Sequence, residues 1–270
     1  MHLKKLKRAV FFTAFFLFGC SSNQHRINKA FNLAKEFEYE SAIVQCSNFP
    51  MQIFYKNFNS KHAIIYLEGD GLVINRFGEI ASNSTPTDPM AIRLAAVDNR
   101  LITKIIINRP FHYLKSANSS SKYWTTARYS PEVVRSIFEA IKSCQEKFHF
   151  ETIELIAYSG GASVAFLLIP YFRNITNIIS FAGNLDHSSW TTFHNCQPLY
   201  ESLDPLEIKD SIGKIPQIHF VGTNDTNTTI ELAMAFKKQI KSEKISIIPV
   251  DGFDHDSNWP SVWQEELKLK

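Results

Sequence analysis

The 270-residue sequence lacks several features that would indicate a specialised architecture. It has no internal repeat and no low-complexity segment, which excludes solenoids, propellers and collagen-like chains. It has only four cysteines, and their spacing is not that of a zinc site. Its most apolar run, Val10–Phe18, is shorter than the roughly 20 residues that a transmembrane helix needs.

An excess of one charge is also lacking once the N-terminal segment is set aside. The formal net charge of the whole chain is +3, but Lys4, Lys5, Lys7 and Arg8 lie in the first nineteen residues, which contain no acid. Without these four of the 29 basic residues, 25 bases face 26 acids. A nearly neutral domain offers no basic face to nucleic acid, so we expect no nucleic-acid partner.

The N-terminal segment has the features of an export signal, because a basic region precedes a short apolar one. The apolar region ends in Leu17-Phe18-Gly19-Cys20. These four residues resemble a bacterial lipobox, which implies a lipoprotein signal peptide over residues 1–19 and diacylation of Cys20. An ordinary signal peptide cut near Cys20, which would release a soluble protein, and a retained transmembrane helix are the alternatives.

Acyl chains on Cys20 would make a membrane the predicted partner, since each buried methylene contributes about 0.8 kcal/mol. By the same resemblance, serine at position 21 implies a protein of the outer membrane that faces the periplasm. An exported chain meets an oxidising compartment. Cys46, Cys144 and Cys196 allow at most one internal disulfide, and their spacing does not choose the pair. Buried free thiols are the alternative.

Short apolar runs alternate with helical patterns along the rest of the chain. This alternation indicates an α/β fold in which helices cover both faces of a mostly parallel sheet. Residues 20–48 are predicted to form a tether and a short lead-in helix, and residues 49–270 the α/β domain. Strands are predicted at 49–55, 62–67, 104–108, 152–157, 175–181, 217–221 and 245–250, and helices at 90–97, 130–147, 160–172, 228–240 and 259–269.

The strongest chemical signal is a serine at the turn between a predicted strand and a predicted helix. In Ala157-Tyr158-Ser159-Gly160-Gly161, small residues lie two positions before and two positions after Ser159. They let strand and helix pack closely around a strained turn. The following helix N-terminus favours developing negative charge. The pattern predicts that Ser159 is a nucleophile, and a serine that merely caps the helix is the alternative.

Two later strands are each followed by a side chain that a serine nucleophile needs. Asp225 ends a Gly-Thr-Asn-Asp turn after one strand, and His255 follows the last strand. We predict that His255 is the general base and that Asp225 orients it. Asp204 and Asp186 are weaker candidates for the acid, because neither directly follows a clear strand. A helix cap is the alternative role of Asp225.

The Glu68-Gly69-Asp70-Gly71 turn follows an early buried strand. Its glycines let a backbone N–H point toward an oxyanion. The predicted oxyanion donors are the N–H groups of Asp70 and Gly160, with Gly69 or Gly71 as alternatives to Asp70. A plain tight turn is the other possibility. The acidic side chains of Glu68 and Asp70 are expected to disfavour anionic substrates.

Aromatic residues in two polar segments are predicted to line a substrate pocket: Trp124 in one segment, and Trp190 and Phe193 in the other. Core packing is the alternative for each of them. We also expect residues 185–215 to form a small cap over the domain.

The chain order Ser159, Asp225, His255 is that of the α/β-hydrolase superfamily, which the sequence resembles from about residue 49 to 270. The Glu-Gly-Asp-Gly turn, the segment 124–130 and the segment 183–187 resemble a group of bacterial α/β-hydrolase lipoproteins. The resemblance implies an α/β-hydrolase fold and a Ser-His-Asp triad. It implies acyl transfer, without metal or cofactor, on a small-molecule or lipid ester or a thioester.

Two other functions are compatible with the same residues. A peptidase or amidase would use the same triad, and the sequence does not separate it from an esterase. A catalytically silent lipoprotein could use the fold as a binding module, although the intact order of the three residues argues against it.

Overall fold

The computed structural model describes residues 23–114 and 119–269. The predicted signal peptide over residues 1–19 and the predicted lipidation site, Cys20, lie outside the described residues. Within the part that is described, no helix has both the length and the apolar character to cross a bilayer.

The strands of the described chain are β1 Glu40–Val44, β2 Met51–Lys56, β3 His62–Leu67, β4 Thr103–Ile107, β5 Thr152–Tyr158, β6 Ile175–Phe181, β7 Gln217–Gly222 and β8 Ile245–Val250. They form one eight-stranded sheet in the order β1-β2-β4-β3-β5-β6-β7-β8. Strand β2 is antiparallel to both neighbours, and the pairs from β4 to β8 are parallel. The predicted mostly parallel sheet is therefore confirmed.

Helices cover both faces of this sheet and create two apolar cores. The helices are α1 at 23–36, α2 Met90–Val97, α3 Pro131–Phe148, α4 Gly161–Leu167, α5 His187–Phe193, α6 Lys209–Ile212, α7 Ile230–Ile240 and α8 Trp259–Leu267. Buried side chains of α1, α2 and α8 pack on one face, and those of α3, α4 and α7 pack on the other. The continuous apolar strands match this double burial, because a parallel strand needs apolar side chains on both faces.

Two elements differ from the sequence-based expectation. Strand β1 lies in the segment 20–48, where only a tether and a helix were expected, so the sheet begins before residue 49. The helix expected to reach residue 172 ends at Leu167 and is followed by a 3-10 turn, Ile169–Tyr171. Pro170 explains this early end, because proline has no N–H to donate to the preceding helical turn.

The connection from β6 to β7 contains α5, α6 and the 3-10 turn Pro205–Ile208. It is tied to the segment before α3, since the Leu203 N–H donates to the Tyr129 carbonyl at 3.1 Å. A capping role for residues 185–215 stays a prediction.

Cys46, Cys144 and Cys196 are free thiols in the structure. Burial raises the pKa of the Cys46 thiol to about 11 and that of the Cys144 thiol to about 12. Because thiolates are the reactive species, these two groups are unreactive near neutral pH.

Candidate active site

Ser159 occupies the sharp turn between β5 and α4, in the left-handed backbone conformation with a φ of 49°. Its N–H donates to the Phe181 carbonyl at 3.1 Å, and its carbonyl accepts from the N–H of Asn184 at 2.9 Å. A non-glycine residue in this conformation costs about 1–2 kcal/mol. The backbone hydrogen bonds to Phe181, at the end of β6, and to Asn184, just after it, therefore hold Ser159 in a strained turn.

Glycine at position 161 allows the start of α4 to approach the end of β3. A Cβ atom on Gly161 would lie 2.6 Å from the Leu67 carbonyl oxygen and 3.0 Å from that of Glu68. These distances are shorter than side-chain carbon atoms tolerate. Close packing of helix on strand brings the turn after β3 beside Ser159.

The structure brings together the serine, histidine and aspartate that the sequence singles out. The Nε2 atom of His255 is 3.0 Å from the Ser159 hydroxyl oxygen. The Nδ1 atom of His255 is 2.9 Å from Oδ2 of Asp225. With the proton on Nδ1, His255 donates to the carboxylate and accepts from the serine hydroxyl. This is the geometry that activates a serine nucleophile.

The Asp225 carboxylate is buried and fully engaged by its neighbours. Oδ1 accepts the N–H groups of Asn227 and Thr228, at 2.7 and 2.9 Å. Oδ2 accepts the Thr228 hydroxyl at 2.8 Å in addition to His255. Burial opposes ionisation, but the bonds from His255 and Thr228 hold the pKa of Asp225 below its usual value. Asp225 is thus an ionised acceptor in a fixed orientation, and Thr228 is a positioning residue that sequence reasoning missed.

The loop that carries His255 is fastened through its own backbone. The His255 carbonyl accepts the Tyr158 hydroxyl at 3.1 Å and the Trp259 indole N–H at 2.9 Å. Tyr158 directly precedes Ser159, so one residue links the serine turn to the histidine loop. Tyr158 also donates to Asp256 at 3.1 Å.

The two weaker acid candidates serve other purposes. Asp186 caps α5, where it accepts the N–H groups of Ser188 and Ser189. Asp204 caps the following 3-10 turn and accepts the Ser188 hydroxyl at 2.9 Å. Both therefore stabilise local structure in the β6–β7 connection, and Asp225 is the carboxylate that His255 contacts.

The Glu68–Gly71 turn lies directly beside the serine. A Cβ atom on Gly69 would lie 3.2 Å from Cβ of Ser159, and one on Gly160 would lie 2.2 Å from Oδ1 of Asp70. The turn and the α4 N-terminus therefore adjoin where an oxyanion would form. That the N–H groups of Asp70 and Gly160 bind the oxyanion stays a prediction.

The side chain of Asp70 is the centre of a buried ion cluster. Arg128 donates to Oδ2 at 2.9 Å, the Tyr129 hydroxyl donates to Oδ2 at 3.0 Å, and the Arg109 guanidinium lies 3.5 Å from Oδ1. Burial opposes ionisation, but the two guanidinium groups hold the pKa of Asp70 below its usual value. Two guanidinium groups thus offset the carboxylate, so Asp70 itself does not supply the uncompensated negative charge that its side chain was expected to add.

Glu68 is buried at the N-terminus of α2. Its carboxylate accepts the N–H of Gly69 at 2.9 Å and that of Ala91 at 3.1 Å. Burial raises the pKa of Glu68 to about 7, although both hydrogen bonds favour the charged form. Near neutral pH this carboxyl is therefore only partly charged, which further reduces the repulsion of anions.

We expect Glu68 to make stability fall with rising pH. The pKa of Glu68 is raised in the folded state, so its contribution is complete below about pH 4.5 and is lost as the pH rises through about 7. A shift of this size corresponds to about 3 kcal/mol. In urea unfolding, the free energy of unfolding of wild type minus that of Glu68→Gln should therefore fall by about 3 kcal/mol between pH 4.5 and 8.

Glu151→Gln, at an exposed carboxylate, is the matched control for this measurement. The free energy of unfolding of wild type minus that of Glu151→Gln should change little between pH 4.5 and 8, because solvent screens exposed charges. If the difference in the free energy of unfolding between wild type and Glu68→Gln stayed constant with pH, Glu68 would have the same pKa in the folded and unfolded states.

The three predicted pocket residues lie in different environments. The Trp190 indole N–H donates to the carbonyl of Asn227, two residues after Asp225, at 3.0 Å. Phe193 is exposed and borders a depression of about 540 Å³ next to α5. Trp124 is buried, and its indole N–H donates to the Ala81 carbonyl. Trp190 is thus linked to the acid turn, and a substrate-contacting role for any of the three stays a prediction.

Among residues 23–114 and 119–269, no group of three or more histidine, cysteine or acidic side chains is arranged to hold a metal ion.

The chain has the α/β-hydrolase fold, as the sequence predicted. An esterase of Pyrococcus furiosus, Pf2001, aligns with a TM-score of 0.61 and 14% identity over 87% of this chain and 90% of its own. Est1E from Butyrivibrio proteoclasticus, with ferulic acid bound, aligns with a TM-score of 0.61 and 12% identity over 84% of this chain and 96% of its own.

An alpha-beta serine hydrolase homologue from Coxiella burnetii is also similar, with a TM-score of 0.58 and 14% identity over 85% of this chain and 94% of its own. The sequence matches no protein-family model, and no curated protein matches it. The likeness is therefore one of fold, and the activity has to be argued from the site.

Proposed function

We propose that this chain is a serine hydrolase that cleaves carboxylic esters, including thioesters or lipid esters, by acyl transfer. The observation that carries the proposal is the continuous hydrogen-bonded path from Ser159 through His255 to the ionised Asp225. In a serine hydrolase such a path removes the serine proton as the oxygen attacks a carbonyl carbon.

The proposed mechanism has two halves. The Ser159 oxygen attacks the ester carbonyl, and Nε2 of His255 takes the hydroxyl proton. Asp225 stabilises the imidazolium through the Nδ1–H bond. The tetrahedral oxyanion is held by the N–H groups of Asp70 and Gly160. It collapses, His255 gives its proton to the leaving alcohol, and an acyl-serine remains. Water, deprotonated by His255, then attacks this acyl ester, and as the second intermediate collapses the imidazolium returns the proton to the departing Ser159 oxygen and the acid is released.

One observation favours an ester over an amide. The similar structures from Pyrococcus furiosus and Butyrivibrio proteoclasticus are esterases by name, or bind ferulic acid, a carboxylic acid. The cluster of Asp70, Arg109 and Arg128 bears on the acyl group instead of on the bond, because it offsets negative charge beside Ser159. An acyl group that ends in a carboxylate is thus compatible with the site.

The proposal extends to an exported lipoprotein that is anchored through Cys20. Its support is the basic and apolar N-terminal segment followed by Leu17-Phe18-Gly19-Cys20. Helix α1 is present from residue 23, so only a short tether would separate the anchor from the folded domain. The outer membrane, with the domain in the periplasm, is the proposed location.

A fluorophosphonate probe tests the enzymatic proposal directly. The purified chain is expected to take up one probe per molecule, on the peptide that contains Ser159, because only an activated serine attacks phosphorus readily. Mass spectrometry of the digest locates the adduct. Parallel hydrolysis assays with short-chain esters, thioesters and aminoacyl amides identify the preferred bond. A folded chain that takes up no probe would favour the silent binding module, and preferential amide cleavage would favour a peptidase.

A further inference from the structure

Residues 72–81 form an ordered hairpin directly after the Glu68–Gly71 turn, and we call it the 72–81 hairpin. Ile74 and Ile80 form an antiparallel bridge across it. At its end, the side-chain oxygen of Asn75 accepts the Phe77 N–H at 2.9 Å. These bonds give the tip of the hairpin a defined shape.

The tip presents large apolar side chains to solvent. The exposed fractions are 49% for Ile74, 70% for Phe77 and 54% for Ile80. Residues paired across an antiparallel bridge point to the same face, so the two isoleucines are neighbours. The Arg76 guanidinium lies 4.7 Å from the centre of the Phe77 ring. Single exposed apolar residues are ordinary, but a cluster on a projecting tip is typical of a binding surface.

The base of the hairpin packs at the edge of the sheet where Ser159 lies. The Leu72 N–H donates to the Ser84 carbonyl at 3.0 Å, and the Ala81 carbonyl accepts the indole N–H of Trp124. Ser84 in turn lies against the turn that flanks Ser159. The hairpin that carries the apolar tip therefore leaves the fold beside the candidate active site.

The N-terminal end of the described chain lies at this same part of the fold. Arg26, in the first turns of α1, donates to the Thr85 carbonyl and, at 3.5 Å, to that of Asn83. Both acceptors belong to the segment that leaves the hairpin. Cys20 precedes the described chain by three residues, which span at most about 10 Å. An anchor at Cys20 would therefore hold this side of the domain close to the membrane.

We propose that the 72–81 hairpin inserts Ile74, Phe77 and Ile80 into the phospholipid bilayer that holds the anchor, and so presents Ser159 to acyl lipids in that bilayer. The inference deepens the proposed function and rests on it. A lipid anchor alone leaves the domain free to rotate, whereas a second apolar contact fixes its orientation. Arg76 at the tip suits the phosphate headgroups while its neighbours enter the acyl region.

Fluorescence quenching in vesicles tests the insertion. The lipoprotein variant Phe77→Trp is reconstituted in phosphatidylcholine vesicles with brominated acyl chains. Its added emission should fall roughly threefold relative to unbrominated vesicles, because interfacial side chains enter by about 5–10 Å. Leu101→Trp is the matched control, since Leu101 is 77% exposed but precedes β4, at the opposite edge of the sheet. Equal quenching of both variants, or of neither, would overturn the proposal.

Hydrolysis assays separate this proposal from the proposed function. Changing Ile74, Phe77 and Ile80 together to serine should leave hydrolysis of a water-soluble ester within about twofold of wild type. Hydrolysis of a long-chain ester in vesicles should fall about tenfold or more. Equal loss on both substrates, or loss on neither, contradicts docking. If wild type cleaves no ester, the proposed function fails, whereas the quenching result still decides insertion. A mature N-terminal peptide whose mass shows unmodified Cys20 would overturn the anchored geometry.

Discussion

Ser159→Ala is expected to lower kcat for ester hydrolysis by roughly 10³- to 10⁶-fold while KM changes little. The substitution removes the oxygen that lies 3.0 Å from Nε2 of His255 and leaves the backbone of the turn in place. Without the nucleophile, the rate that remains comes from substrate binding and from N–H groups that stabilise the oxyanion. Initial rates with a water-soluble ester measure the effect.

A second substitution at the same position separates lost chemistry from lost folding. Ser159 has a φ of 49°, which strains alanine as much as serine but does not strain glycine. Ser159→Gly should therefore be more stable than Ser159→Ala by about 1 kcal/mol and equally inactive. Urea unfolding compares the two. Ser261→Ala, in the exposed part of α8, controls for the loss of a hydroxyl. Retention of more than about one hundredth of the activity by Ser159→Ala would place the nucleophile elsewhere.

The interior strands were predictable because a strand buried on both faces consists of a continuous run of apolar residues. The expected bounds of the interior strands β3 and β6 agree with the structure to the residue, and so do those of the edge strand β8. Strand β1 was missed because it is a short edge strand, mostly exposed, that pairs with β2 alone. Its five residues, Glu-Ser-Ala-Ile-Val, carry no clear period, so pairing with β2 rather than local sequence determines its conformation.

The positions of Ser159, Asp225 and His255 were predictable for a geometric reason. Each follows an apolar strand, and the carboxyl ends of parallel strands meet at one edge of the sheet. Sequence order therefore translated into spatial proximity. The contacts that support these three residues could not be predicted in the same way. Thr228 looked like an ordinary residue near a helix start, and Tyr158 looked like the variable position of a serine motif.

The Asp70 cluster shows why charge alone misled the sequence-based interpretation. Asp70 lies beside the nucleophile, and its partners Arg109 and Arg128 come from two segments about 40 and 60 residues later in the chain. Their convergence depends on tertiary packing, which no local pattern encodes. The acid that was expected to repel anions is a neutralised structural group, and it explains why position 160 is a glycine.

Gly160→Ala is expected to lower kcat by roughly 10²- to 10³-fold and to destabilise the fold by about 1–3 kcal/mol. A Cβ atom at this position would lie 2.2 Å from Oδ1 and 2.5 Å from Cγ of Asp70. Movement of the Asp70 side chain is restricted, because Arg128 and Tyr129 donate to its Oδ2 and the Arg109 guanidinium lies 3.5 Å from its Oδ1. The whole Glu68–Gly71 turn must therefore shift, and with it the proposed oxyanion donor at Asp70. Ester hydrolysis and urea unfolding of the variant measure both effects.

Two further variants test whether the collision with Asp70 is the cause. Gly213→Ala is the matched control, since its nearest neighbours would lie at 3.2 and 3.4 Å and its backbone is helical. It should change the free energy of unfolding by less than about 1 kcal/mol and leave kcat unchanged. In an Asp70→Ser background, Gly160→Ala should lower the free energy of unfolding by less than it does in wild type, because the shorter side chain at position 70 leaves room for the methyl group. If the changes in the free energy of unfolding of the two single variants add up to that of the double variant, the methyl group acts directly on Ser159 or on the helix. Asp70 is then not the reason that position 160 needs a glycine.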